Sequence, residues 1–516
     1  MDHVSGLHEG ANPLRLKKEL IPIKRWGKGL PDGTDEQVST TDAGPLEWGT
    51  AGELTPLDTV MWRADTDRAM RSTVTAVELL DTEPDWNRLV DAHEWATRMV
   101  PRLCDRIAEP LGFVGTPMWV RDQDLDLRYH LRRYRLGGKG GWSELLTAAA
   151  QISMSPFDRT RPPWEAVLVE SLPDGKAAYL LKLHHALADG LGFRQLLSQL
   201  HSRQRAHQPD KPQPTAPADA EPGPADFVVR ELKHDLGAVP AVIGGATAMV
   251  RKGFGDPLGS ARGLIRYVDS ARRVLSPPDV PGLPALSARG GSWQFVALDL
   301  ELADLRAAAK SAGGSVNDAF LAALLAAFRL YHDELGVPLD GDAAMPVSVP
   351  VSVRRDVDSP GGNRFAPARL VAPVGIADPT ARIEEIKQLV RTARDEPALE
   401  SAEFVVPLMA RLPASVLVHI AGATTAGNDL QASNVPGLEE DLYLAGALIE
   451  RIYPFAPLPG CAAMISLHSY RGTCSVGANL DAAAIVDPGL FARCLSDGFA
   501  EVLALAPAAG KPRLLI

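Results

Sequence analysis

The segment Ser202–Asp226, SRQRAHQPDKPQPTAPADAEPGPAD, divides this chain. Proline at such density removes amide donors and fixes φ, so neither a helix nor a sheet interior propagates through it. Globular structure must be built from what lies on either side. Before it, from about Leu54 to His201, apolar strand-like runs alternate with helix-like segments: Thr73–Leu80 reads as a strand and Trp86–Met99 as a helix. After it, Phe227–Val274 has helical spacing broken by Gly and Pro, and a second proline patch follows at Pro277–Pro284. Trp293–Leu300 then reads as a strand, and Ala/Leu-rich Asn317–Leu330 as a helix. The alternation predicts an α/β (α+β layered) fold in two similar halves. The expected organisation is an irregular polar extension over 1–50, a first domain over 51–201, a Pro-rich linker and helical crossover over 202–285, and a second domain over 286–516.

Composition narrows the function. With 53 Lys and Arg against 64 Asp and Glu, the net charge is −11, which argues against a general nucleic-acid binder but leaves room for one local basic pocket. The four cysteines, Cys104, Cys461, Cys474 and Cys494, form no close metal-binding pair and are too few for a disulfide scaffold, which suggests a reduced, cytoplasmic setting. No run reaches the roughly 18–20 apolar residues of a membrane span. The nearest, Val239–Val250 and Phe404–Ala423, are interrupted by Pro, Gly or charged residues and read more readily as core helices. Positions 14–28 are basic, but no signal-peptide apolar region follows.

The segment Lys176–Gln199, KAAYLLKLHHALADGLGFRQLLSQ, carries the chemistry. Ala177–Leu183 is an apolar run of strand length and Gly192–Leu200 has helical spacing, so His184, His185, Asp189 and Gly190 fall at a strand-to-helix junction. Adjacent histidines on extended backbone point to opposite sides, so one faces a cavity and the other the packed interior. Neutral imidazole is suited to taking a hydroxyl proton near neutral pH. Asp189 reads as a loop-holding residue, bonded to an amide or an arginine, and Gly190 as the residue that permits a sharp turn with unusual dihedrals. No HExxH spacing or matching third ligand suggests a metal, and spacing alone leaves catalytic and structural roles for the pair evenly balanced.

His184-His185-Ala186-Leu187-Ala188-Asp189-Gly190 matches HHxxxDG, the motif of CoA-dependent acyltransferases related to chloramphenicol acetyltransferase and to peptide-synthetase condensation domains. Further segments follow in order: Leu54-Thr55-Pro56-Leu57-Asp58, Asp158–Glu165 (DRTRPPWE), Ser315-Val316-Asn317-Asp318, Pro350-Val351-Ser352-Val353-Arg354 with Gly362-Asn363, Ser433-Asn434-Val435-Pro436-Gly437, and Ser469-Tyr470-Arg471-Gly472 with Asp481. Together, from about Leu54 to Pro488, the chain resembles the bacterial wax ester synthase/diacylglycerol acyltransferase family. It departs from that pattern at Pro162-Pro163-Trp164, Leu286-Ser287 and Trp293-Gln294.

The resemblance implies two chloramphenicol acetyltransferase-like domains with an active-site tunnel between them. It implies acyl transfer from acyl-CoA, a co-substrate rather than a bound cofactor, to a long-chain alcohol or diacylglycerol, with no metal and no acyl-enzyme. His185 would be the general base, supported by His184, Asp189 and Gly190, with Asn317, Asn434 and Arg354 as substrate-binding candidates. Asn317 is open between a donor to the reacting carbonyl and a residue at a helix start, while Asp318 reads as a cap. Peripheral contact with the inner membrane or a lipid droplet fits the lipid substrates. Esterification of another alcohol (a polyketide, a sugar or a small alcohol) and a non-enzymatic lipid-binding protein are the alternatives. The run Arg128, Arg132, Arg133, Arg135 and Lys139 reads as a solvated basic face, or else as an attractor for an anionic thioester.

Overall fold

The computed structural model describes residues 52–110, 115–138, 140–208, 280–352, 365–394, 409–425, 427–507 and 509–515, together with Glu19–Leu20, Trp48, Pro214, Asn363 and Val406. The expected crossover helix Phe227–Val274, the stretch Val239–Val250, Lys139 and Arg354 lie outside these residues, as do most of residues 1–50 and of Ser202–Asp226.

Two sheets carry the fold. The first runs in the order Tyr443–Leu444, Ala447–Phe455, Thr73–Leu80, Ala177–His184, Trp164–Glu170, Leu131–Arg135, antiparallel except for its last pair. Thr73–Leu80 and Ala177–His184 are buried on both faces, which is why they read as continuous apolar runs rather than as alternation. The second sheet centres on Met345–Ser352, Leu430–Val435 and Ala463–Tyr470, mutually parallel, followed by antiparallel Thr473–Asp481 and Trp293–Glu301. Helices Val316–Glu334 and Pro488–Leu503 pack side by side on it, so closely that a side chain on Gly498 would come within 2.5 Å of the Ala323 carbonyl oxygen. Alanine and leucine suit the first of these helices because it is buried along most of its length.

The sheets do not divide where the linker divides the sequence. Ala447–Phe455, from the second half, pairs antiparallel with Thr73–Leu80 and so completes the first half's sheet. Its return sets it against Ala463–Tyr470 and Thr473–Asp481 of the second sheet, and a shared apolar cluster fills the seam. There Phe295 of the second sheet stacks on Phe455 of the returning strand, ring centroids 3.9 Å apart. This strand ties the halves together by hydrogen-bonded backbone, as does a bridge between Ser202 and Tyr443, in addition to side-chain burial.

No helix among the described residues is by itself long and apolar enough to cross a membrane; one bent pair, Leu302–Ser311 with Val316–Glu334, passes on composition, and its second member is the core helix just described. Of Phe404–Ala423, the described residues are Val406, residues 409–413 and the start of helix Ala414–Thr425, which packs on Pro56–Ala64 of the first half through Leu417 and Val60.

Candidate active site

The strand Ala177–His184 ends at the histidine pair, and the two rings part as extended backbone requires. His184 is fully buried, edge-on to Trp62 with centroids 5.1 Å apart, and its Nδ1 accepts from the Ala186 N–H (3.0 Å). That bond makes Nδ1 the unprotonated nitrogen. Burial first, then the Arg159 charge, hold His184 well below the usual histidine range, so it stays neutral. It braces the turn.

His185 is half-buried and lines a cavity of about 300 Å³ whose walls come from both halves. Its Nδ1 is enclosed without a hydrogen-bond partner among the described residues, which leaves Nε2 as the nitrogen presented to the cavity. Burial lowers the ring below its ordinary value, while the Asp189 charge, Asn363 and the residue's own carbonyl pull it back up. The backbone is held on three sides. The His185 N–H donates to the Ser72 carbonyl (2.7 Å), its carbonyl accepts from the Ala188 N–H (3.2 Å), and the same carbonyl accepts from Asn363 Nδ2 (2.6 Å).

Asp189 does not reach for the imidazole. It is the N-cap of helix Gly190–Leu200, its Oδ1 accepting from the Gly192 N–H at 2.8 Å, and its charge acts on His185 through space. Gly190 corrects the sequence reading. Its φ is not in the left-handed region; glycine is needed because a Cβ there would lie 2.8 Å from Val435 Cγ2, on a strand of the other half. The loop glycine is a point of contact between domains.

Asn363, in sequence half of the Gly362-Asn363 pair, is a bridge. Besides the His185 carbonyl it donates to Asp58 Oδ1 at 2.5 Å. Asp58, from the LTPLD segment, is 2% exposed, and burial, partly offset by the hydrogen bonds from Asn363 and Thr55, raises its carboxyl to about 6. Three sequence segments far apart thus meet within one hydrogen-bonded unit around His185. Nothing in their separate spacing announces the meeting.

The wall opposite His185 comes from the second sheet. Because side chains alternate along a strand, Gln431, Ser433 and Val435 face the cavity and Asn434 does not line it. The expectation for Asn434 passes to Ser433. In register, Gln431 lies beside Ser348, Ser433 beside Ser466, and Val435 beside His468, giving a polar ladder on a mostly apolar lining. The Ser466 hydroxyl has no hydrogen-bond partner among the described residues. His468, which the sequence reading missed, sits with Nδ1 3.2 Å from the Val435 carbonyl oxygen and is lowered to about 4, mainly by burial. Its only sequence trace is its place just before the SYRG segment.

Two further expectations change. Asn317 is buried as the second residue of helix Val316–Glu334 and is not among the residues that line the cavity; its Nδ2 has no hydrogen-bond partner among the described residues. The helix starts earlier than Ala319. Ser315 is its N-cap, and Asp318 completes a capping box by accepting from the Ser315 N–H (2.8 Å). The basic run near Arg128 is largely neutralised: Arg128 pairs with Asp126, Arg132 with Glu165 and Arg133 with Glu170.

Comparison with known proteins sets this arrangement in context. The fold is shared with a wax ester synthase/diacylglycerol acyltransferase from Marinobacter aquaeolei, at a TM-score of 0.59 and 22% identity over 87% of this chain and 98% of that one. It is also shared with the starter condensation domain of rhizomide synthetase, solved in complex with C8-CoA and Leu-SNAC, at a TM-score of 0.54 and 14% identity over 93% of this chain and 98% of that one. The fold class is that of two-domain, chloramphenicol acetyltransferase-like proteins. In sequence, the profile of the wax ester synthase/diacylglycerol acyltransferase catalytic domain matches residues 54–320, and that of its C-terminal domain matches 361–502. A Mycobacterium tuberculosis protein named as a candidate diacylglycerol O-acyltransferase is 40% identical over 458 residues, 88% of this chain and 92% of the relative. The chain belongs to the wax ester synthase/diacylglycerol acyltransferase family.

Proposed function

We propose that this acyltransferase moves a fatty acyl group from acyl-CoA to the hydroxyl of diacylglycerol or a long-chain alcohol, with His185 as general base. The observation that carries the reading is the position of His185: a neutral imidazole with one free nitrogen, on the wall of an apolar cavity shared by both halves. Nε2 takes the acceptor's hydroxyl proton as the oxygen attacks the thioester carbonyl. The tetrahedral intermediate then expels the CoA thiolate, which recovers that proton. Donors aimed at the developing oxyanion lower the barrier most, and the hydroxyls of Ser433 and Ser466 are the candidates on the facing wall. The reaction requires neither a metal nor a resident cofactor. Acyl-CoA comes and goes as co-substrate.

The polar ladder supports the choice of acceptor class. A diacylglycerol carries ester carbonyls that Ser348, Gln431, Ser433 and Ser466 can hydrogen-bond, whereas a fatty alcohol presents a single hydroxyl. The test is acceptor-dependent thiol release from acyl-CoA, with diacylglycerol, a long-chain alcohol and a short alcohol in parallel. His185→Ala is expected to lower turnover by about 10²–10⁴-fold while circular dichroism and melting temperature stay near wild type. Unchanged turnover in a folded variant would remove the base assignment. Release that requires only the short alcohol would replace the lipid acceptor.

A further inference from the structure

The cavity that His185 lines holds a second imidazole with no task in the reaction as written. His468, on strand Ala463–Tyr470, is 6% exposed and lines the same cavity. Its Nδ1 lies 3.2 Å from the Val435 carbonyl oxygen. A carbonyl only accepts, so Nδ1 carries the hydrogen of the neutral ring and Nε2 keeps a lone pair. Burial first, with the Arg194 charge adding to it, lowers the ring to about 4, so it is neutral near neutral pH. In that form Nε2 accepts a hydrogen bond and cannot donate one, and it has no hydrogen-bond partner among the described residues. We propose that His468 reads a second hydroxyl on the acyl acceptor, so that a long-chain diol such as a monoacylglycerol is preferred. The proposal rests on the acceptor's reacting hydroxyl being held at His185.

Placement is the first support. Val435, beside His468 in register, packs on the HHxxxDG loop: a Cβ on Gly190 would lie 2.8 Å from its Cγ2. From the helix that starts at Gly190, Arg194 Nε donates to the Gly437 carbonyl (3.2 Å). A Cβ on Gly437 would lie 2.9 Å from His468 Nε2, so glycine leaves that nitrogen uncrowded. Nε2 therefore sits where the loop and helix that follow His185 meet the second sheet. A donor bound there belongs to the polar end of the ligand, not to its alkyl chain.

The second support is a count of donors and acceptors. Ser348, Gln431, Ser433 and Ser466 each carry a group able to donate, so ester carbonyls can satisfy them. His185 takes the reacting hydroxyl. A fatty alcohol or a diacylglycerol has one O–H in all, which leaves none for His468. An acceptor nitrogen enclosed without a donor forfeits the hydrogen bond it made to water. A ligand with a second hydroxyl close to the first supplies the missing donor. Sites built around a substrate hydroxyl discriminate against analogues that lack it.

Octane-1,2-diol and octan-1-ol share a chain and a primary hydroxyl and differ by one O–H. Titrated calorimetrically into the full-length protein, the diol is expected to bind about tenfold tighter, the worth of one hydrogen bond to a buried group. His468→Asn keeps an N–H for the Val435 carbonyl but has no atom at the Nε2 position, and should bring the ratio close to one. His468→Gln, which can place Oε1 there, should keep most of it. The ratio of the two affinities is what is read, so a general loosening of the cavity does not imitate the result, and circular dichroism verifies that both variants fold. A wild-type ratio near one, or a ratio that His468→Asn leaves unchanged, would overturn the proposal. So would a larger loss in S-octyl-CoA binding than in diol binding on His468→Asn, which would give Nε2 to a pantetheine amide instead. The titrations need no turnover: selective diol binding without acyl transfer to either alcohol would uphold His468 and remove the reaction proposed above.

Discussion

At the scale of single residues, two adjacent histidines with the same chemistry are given different work by their partners. His184 is spent on the Ala186 amide, whereas His185 keeps Nε2 free. As the proposed base, His185 must be neutral to act, so activity is expected to fall as pH drops through its pKa. Because burial lowers that pKa from its ordinary value, the acid limb of kcat/KM should lie below about pH 6.5. Asn363 makes this testable a second way. It pushes the His185 pKa up, so Asn363→Ala should move the acid limb to still lower pH. It should also lower kcat about tenfold, the worth of one positioning hydrogen bond. A variant that only loosened packing would reduce activity without moving the limb; pH–rate profiles of the two proteins decide. His184→Ala should behave differently, costing about 1–3 kcal/mol of stability by stranding the Ala186 amide, read in denaturant melts.

At the scale of elements, the HHxxxDG loop is set by a strand end, a helix cap and a strand from the other half. Asp189 caps helix Gly190–Leu200, and Gly190 makes room for Val435 on Leu430–Val435. Gly190→Ala should therefore reduce activity by pushing these elements apart, and Val435→Ala in the same protein should restore it. Steady-state rates of the single and double variants measure the coupling. Failure of the rescue would show that Gly190 acts through backbone freedom after all. The strand and the helix here were legible from apolar run and periodicity, because those signals depend only on neighbours along the chain. The glycine's reason was not legible: the atom it avoids lies on a strand more than two hundred residues later in the chain. Asn434 shows the same limit. The SNVPG segment was readable as a segment, but which of its side chains faces the cavity follows from strand register and from which face of the sheet is turned inward.

At the scale of the whole molecule, the returning strand joins the halves at close quarters. A side chain on Gly477 of the second sheet would come within 2.0 Å of the Pro454 carbonyl oxygen on that strand. Gly477→Ala should force the seam open, lowering stability by about 2 kcal/mol or more in thermal or denaturant unfolding. The sequence by itself determined two α/β halves around a proline-rich division, the strand–histidine–helix junction, and the family whose segments run through the chain. These rest on local composition, periodicity and motif order. Only the tertiary structure decided that Ala447–Phe455 belongs to the first sheet, that Asn363 and Asp58 clasp the loop at His185, and that a serine ladder lines the cavity with His185. Each of these is a contact between residues hundreds of positions apart. Such contacts are fixed by how apolar faces and strand edges are buried together, which no local pattern encodes.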